Sequence, residues 1–99
     1  MEIIEFTDGN DVVFKVVLDD VEYEIRMLWN QDGGFWTLSI MDTVLQGIKV
    51  VCDYPLLNGY HYLDGVPNGN LVCVTTDSSL QVPSRSSFTD GICYLCYAV

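Results

Sequence analysis

Positive charge is what this chain has least of. Lys15, Arg26, Lys49 and Arg85 stand against fourteen Asp and Glu, for a formal net charge of −10 over 99 residues. Contacts that release counterions from phosphates need Lys and Arg, so direct nucleic-acid binding is not expected, and neither is attraction to an anionic membrane surface. Histidine is nearly missing: His61 stands alone, which leaves no multi-histidine metal triad and no Ser-His-Asp spacing to argue from. Long apolar runs are missing too. No segment approaches the roughly 18 consecutive apolar residues of a membrane helix. The opening MEIIEFTDGND is acidic where a secretory signal would be basic. The expectation is therefore a chain kept in a cytosol, with its cysteines as thiols. Gly33-Gly34 reads as a turn, and no glycine-rich stretch resembles a phosphate cradle. Glu22 and Glu24 share one strand face, an arrangement that is ordinarily just hydrated. No cofactor and no enzymatic activity are expected.

What is present is apolar alternation. Hydrophobic residues make up 49% of the chain, enough for a real core in one domain of this length. In residues 23–42, Tyr23, Ile25, Met27 and Trp29 alternate onto one face, and Trp36, Leu38 and Ile40 do the same after a turn. This period of two marks paired half-buried strands. A four-residue loop at Gln31-Asp32-Gly33-Gly34 sets Trp29 opposite Trp36, Met27 opposite Leu38 and Ile25 opposite Ile40. A slip of one residue would expose them all.

The remaining pattern predicts short strands at 1–7, 12–18, 46–52, 71–76 and 91–99. They are separated by turn signals at Asp8-Gly9-Asn10, Asp19-Asp20, Asn58-Gly59 and Pro67-Asn68-Gly69-Asn70. In the strand at 46–52, Ile48, Val50 and Cys52 should share a face. Residues 77–90, with one proline and five serines, form the long polar connection and read as a surface arm. No apolar run has helical spacing, and no repeat or linker divides the chain. The expected fold is all-β: one small antiparallel barrel or sandwich spanning residues 1–99.

Four cysteines invite a metal reading. Cys93-Tyr94-Leu95-Cys96 has the CxxC spacing of a zinc knuckle, so Cys93 and Cys96 are the candidate ligands. However, Cys52 and Cys73 are 21 residues apart and supply no second close pair. Moreover, residues three apart in a strand point to opposite faces. The expected role of all four is that of small buried apolar residues. Among the aromatics near turns and in the arm, Tyr60, Tyr62 and Phe88, with His61 and Arg85, are the candidate contact residues for other subunits. Tyrosine offers a large rigid surface at small entropic cost. A slightly positive mean hydropathy leaves apolar surface for such contacts.

The ordered set of signals resembles a family of small phage proteins, the baseplate plug of cyanophage-type contractile tails. The residues that carry the resemblance are Tyr23 and Ile25, Leu28-Trp29-Asn30, Gly33-Gly34, and Trp36, Leu38, Ile40 and Asp42. They continue with Gly47-Ile48, Tyr54-Pro55-Leu56-Leu57, Tyr60, Pro67 and Gly69-Asn70-Leu71. The cysteine-rich last strand and the serine-rich arm depart from that pattern. The resemblance implies a tail-tube or hub-like β domain and a structural virion component near the spike, assembled in the host cytoplasm. It also implies hub, spike and tail-tube partners and a homo-oligomer, a trimer by analogy with such hubs. The strong acidity fits either a solvated surface or a conduit past which DNA must slide. The competing readings are a free-standing β-barrel module for a ligand or peptide and a small zinc domain.

Overall fold

The computed structural model describes residues 2–41 and 44–98. Met1, Val99 and Asp42, the last residue of the hairpin pattern, lie outside the described residues. Among the described residues there are seven strands and no helix: β1 (Glu2–Ile4), β2 (Asp11–Leu18), β3 (Val21–Asn30), β4 (Phe35–Ile40), β5 (Leu45–Lys49), β6 (Asn70–Thr75) and β7 (Cys93–Ala98). They form two sheets, β2-β3-β4-β5 and β1-β7-β6, in which every strand pair is antiparallel. Neither sheet closes on itself. The architecture is a small two-sheet β fold, between sandwich and barrel, as the alternation predicts.

The central hairpin has the expected register. Trp29 pairs with Trp36, Met27 with Leu38 and Ile25 with Ile40. Ile25, Met27, Trp36, Leu38 and Ile40 are all buried. The loop is set by Asn30, whose carbonyl accepts from the Gly34 amide (2.8 Å) and whose side-chain Oδ1 accepts from the Gly33 amide (2.9 Å). Gly34 takes φ +71°, a value that costs glycine little. At the other end of β3, Asp19 and Asp20 link Leu18 to Val21 with both φ angles positive, 52° and 65°. That is the signature of a type I′ turn, whose twist suits a two-residue hairpin.

Three strands are shorter than the sequence pattern suggests, each for a traceable reason. β1 stops at Ile4 because Phe6 turns away to stack on Phe14 of the other sheet, with ring centroids 5.4 Å apart and planes 6° apart. β7 starts at Cys93 because the amides of Ile92 and Cys93 donate to the Ser87 carbonyl instead of extending the ladder. β5 ends at Lys49, after a register irregularity against β4 and a positive φ at Gly47. Cys52 therefore does not continue that strand face.

Beyond β5 the chain crosses from one sheet to the other. Val50 still donates to the Trp36 carbonyl of β4 (2.9 Å), whereas Asp53 donates to Cys73 (2.7 Å) and Leu56 to Leu71 (2.8 Å), both on β6. Residues 50–57 thus strap one flank of the two sheets together. Tyr97 ties another point: its hydroxyl donates to Asp19 Oδ2 of the β2–β3 turn (2.6 Å) and accepts from the Gly69 amide (2.8 Å). Gly69 tolerates no side chain here, since a Cβ would lie 2.5 Å from the Ala98 carbonyl and 2.7 Å from the Tyr97 ring. Both sheets bury one common core, with Trp36, Leu38 and Ile40 facing Leu71, Leu95 and Tyr97 in a single cluster.

Candidate functional site

A cleft lies where β1 and β7 meet the segment 84–89. Its floor is Trp36, which is 1% exposed and is fixed by neighbours from β3 and from the segment 84–89. Trp29 and Phe88 meet it edge to face at 5.4 and 5.8 Å, and its Nε1 donates to the Ser84 carbonyl at 3.0 Å. The Arg85 guanidinium lies over the ring at 5.4 Å, a cation–π distance, while its Nη1 pairs with Asp8 at 2.6 Å and its Nε donates to Asn10. Ile4, Phe6, Phe88 and Leu95 give the cleft apolar walls around a volume of about 350 Å³. The edge of β1 borders it, since β1 pairs with β7 alone in its sheet.

Residues 77–90 carry no strand. An Asx-type turn opens the segment: Asp77 Oδ1 accepts from the Ser79 amide (3.0 Å) and hydroxyl (2.6 Å), and these bonds hold the Asp77 carboxyl below its usual value. The segment then drives Pro83 and Ser87 into the interior. Ser87 Oγ accepts from the Ser84 amide and hydrogen-bonds the Ser84 hydroxyl, each at 2.8 Å. Arg85 and Phe88, two of the contact candidates, therefore sit together on the wall above Trp36. Tyr60, His61 and Tyr62 lie elsewhere, outside the cleft lining. Tyr60 is half-buried against the core. His61 is exposed, with Nε2 2.8 Å from the Gly69 carbonyl, and Tyr62 is 78% exposed.

The basic residues are all engaged. Arg26 donates twice to Asp11, at 2.8 and 2.6 Å, and holds the Asp11 carboxyl below its usual range. Lys15 lies 4.0 Å from Glu22, Arg85 pairs with Asp8, and Lys49 rests 4.9 Å above the Phe35 ring. With each cation set against a carboxylate or a ring, the remaining acidic groups dominate the outer field. Among the described residues, the edge strands β1 and β2 carry exposed apolar side chains: Ile3 (57%) on β1, and Val13 (55%) and Val17 (56%) on β2.

The cysteines are arranged differently from their spacing. Because β7 runs unbroken from Cys93 to Ala98, Cys93 and Cys96 project from opposite faces, and the CxxC pair does not converge. Cys93 instead meets Cys73 of β6 and Cys52 of the strap, and the three Sγ atoms lie within 4.8 Å of one another. Cys73 and Cys93 are buried and Cys52 is half-buried. Desolvation, reinforced by the neighbouring thiols, pushes the Cys52 thiol up to about 11 and the Cys73 thiol higher still. Burial also raises Cys96. Sequence distance hid this grouping: Cys52 and Cys73 meet only because the strap forms a bridge to β6 at that residue pair.

A comparison with curated proteins gives no match. The family described as Cyanophage baseplate Pam3 plug gp18 matches residues 1–99, the whole chain. The chain therefore belongs to the cyanophage baseplate plug family.

Proposed function

We propose that this protein is a structural, non-enzymatic component of a contractile phage tail, closing or joining the central channel of the baseplate near the spike. The family match over residues 1–99 carries the reading. Its neighbours would be hub, spike and tail-tube proteins together with further copies of itself, arranged with three-fold symmetry. Two regions are suited to those contacts. One is the loop with Tyr60, His61 and Tyr62, where Tyr62 offers a nearly naked aromatic ring. The other is the wall of Arg85 and Phe88 beside the open β1 edge, where a partner strand could add to the sheet. The acidic exterior suits a passage that DNA must later traverse without adhering.

The cleft supports a second reading. At about 350 Å³ it falls at the lower end of the volumes typical of small-molecule sites, so a free-standing ligand-binding module is the alternative. An affinity-tagged chain expressed during infection separates the two. Co-purification of hub, spike or tube proteins in fixed ratio is the expected result. A chain recovered alone and monomeric would overturn the plug reading and direct attention to the cleft.

A further inference from the structure

Each buried cysteine, taken singly, is explained by its small apolar character. Cys96 shows what that explanation looks like: it is buried on the outer face of β7, paired across to Val72 and Ile3, and grouped with no other thiol. The other three need a further reason. They come from three separate parts of the chain, the strap, β6 and β7, yet their sulfurs converge to within 4.8 Å of one another.

The backbone fixes this convergence. Cys52 and Cys73 face each other in an isolated parallel bridge, reinforced by the Asp53 amide donating to the Cys73 carbonyl at 2.7 Å. The β6–β7 register sets Cys73 against Leu95 and Thr75 against Cys93, so Cys73 and Cys93 are diagonal neighbours on the core face. The Cys52 amide is held by the Gln81 carbonyl at 2.8 Å. The thiols therefore hang from a frame that hydrogen bonds hold on all three sides. Cys73 and Cys93 close the back, and the half-buried Cys52 leaves one side through which solvent and ions can reach the sulfurs.

We propose that Cys52, Cys73 and Cys93 form a three-thiolate site for a thiophilic closed-shell metal cation, Zn²⁺ or Cu⁺. Metal–sulfur bonds of about 2.3 Å require sulfurs about 4 Å apart, so small side-chain adjustments complete the site. Neither ion imposes a geometry through its d-electrons, and soft thiolates are the donors both prefer. A three-coordinate Cu⁺ would be complete with these residues. Zn²⁺ would take a solvent molecule as fourth ligand on the Cys52 side. Binding exchanges three S–H protons, released to solvent, for three metal–sulfur bonds, and the metal gives up its water ligands. The site lies where the strap joins β6, so a bound ion pins the crossing between the sheets. The inference stands independently of the plug reading.

The test uses the reduced full-length chain, titrated separately with Co²⁺ as the spectroscopic stand-in for Zn²⁺ and with Cu⁺. Thiolate-to-metal charge transfer saturating at about one ion per chain is expected for at least one of them, and which one responds identifies the cation class. Cys96→Ser should leave that stoichiometry unchanged. Cys52→Ser, at a half-buried position that leaves the core intact, should weaken binding by about tenfold or more, the cost of disturbing even an outer-shell group. On the unsubstituted chain, the bound ion should slow alkylation of Cys52 by about tenfold or more, because a metal-held thiolate is no longer a free nucleophile. The proposal is overturned if neither ion gives charge transfer, if Cys52→Ser binds as tightly as the parent, if Cys96→Ser abolishes binding, or if the metal leaves the Cys52 alkylation rate unchanged.

Discussion

The two sheets are built by opposite strategies. In β2-β3-β4-β5 every strand pairs with its neighbour in sequence, through links as short as Asp19-Asp20. In β1-β7-β6 the order places residues 2–4 beside residues 95–97, and β6 and β7 are separated by the whole 77–90 segment. The first sheet can form from local contacts. The second must close long loops before any hydrogen bond rewards it. Its stability therefore rests on contacts to the first: the strap 50–57, the Phe6–Phe14 stack, the Tyr97–Asp19 bond and the packing on Trp36. The hairpin sheet is a template, and the chain ends are laid upon it.

The severest challenge to that view is Trp36→Ala. Trp36 belongs to the local sheet, yet its contacts with Ser84, Arg85 and Phe88 all come from the segment that leads into β7. Truncating a buried Trp costs about 3–5 kcal/mol, a large share of the about 5–15 kcal/mol typical of a whole domain. Urea denaturation should show a loss in this range, and hydrogen exchange should show β6 and β7 losing protection before β3. A loss below about 1 kcal/mol, or equal opening of both sheets, would mean that the terminal sheet does not lean on this residue.

A smaller and more selective break is Tyr97→Phe. It removes one hydroxyl that bonds Asp19 in one sheet and Gly69 at the start of the other, at an expected cost of about 1–2 kcal/mol. It also carries a pH signature. Burial, followed by the bond to Asp19, raises the Tyr97 phenol above its ordinary value of 10.0. The protonated phenol is therefore favoured by folding, so its contribution is complete below about pH 10 and is lost as pH rises through the raised folded value. From about pH 10 upward the parent should lose more stability than the Phe variant, narrowing the gap between them. A gap that stays constant across this range would show that the hydroxyl is not coupled to folding.

The same division decides how much of the structure could be read in advance. The hairpin register was legible because alternation of Tyr23, Ile25, Met27 and Trp29 against Trp36, Leu38 and Ile40 admits one pairing that buries them all. Strand identity in the terminal sheet was legible from β-branched and aromatic content, but strand ends were not. Phe6 leaves β1 to stack on a residue of the other sheet, and Ser87 takes amides that β7 would otherwise use. Neither partner is visible in a local window. The cysteine grouping was hidden for the same reason. A CxxC spacing points to Cys93 with Cys96, while the bridge that brings Cys52 to Cys73 depends on where the strap lands. Of the contact candidates, Arg85 and Phe88 share the wall above Trp36, a common partner on β4 that is distant in sequence and not visible from their own segment.

If the local sheet is the template, improving its tightest turn should stabilise the whole molecule. Asp20 holds φ 65° while exposed, a conformation that costs an L-residue up to about 1–2 kcal/mol, less for Asp than for most. Asp19 is compensated by the Tyr97 hydroxyl, and no such bond reaches it through Asp20. Glycine is the favoured residue at the second position of a type I′ turn, although it brings a larger entropy loss on folding. The expected net effect of Asp20→Gly is a gain of about 0.5 kcal/mol, read as a higher urea midpoint with an unchanged denaturant slope. Asp19→Gly should go the other way, because it relieves similar strain but strands the buried Tyr97 hydroxyl. Opposite signs at adjacent positions of one turn would show that Asp19 serves the contact between sheets while Asp20 serves only the hairpin. Equal signs would assign both residues to the hairpin alone.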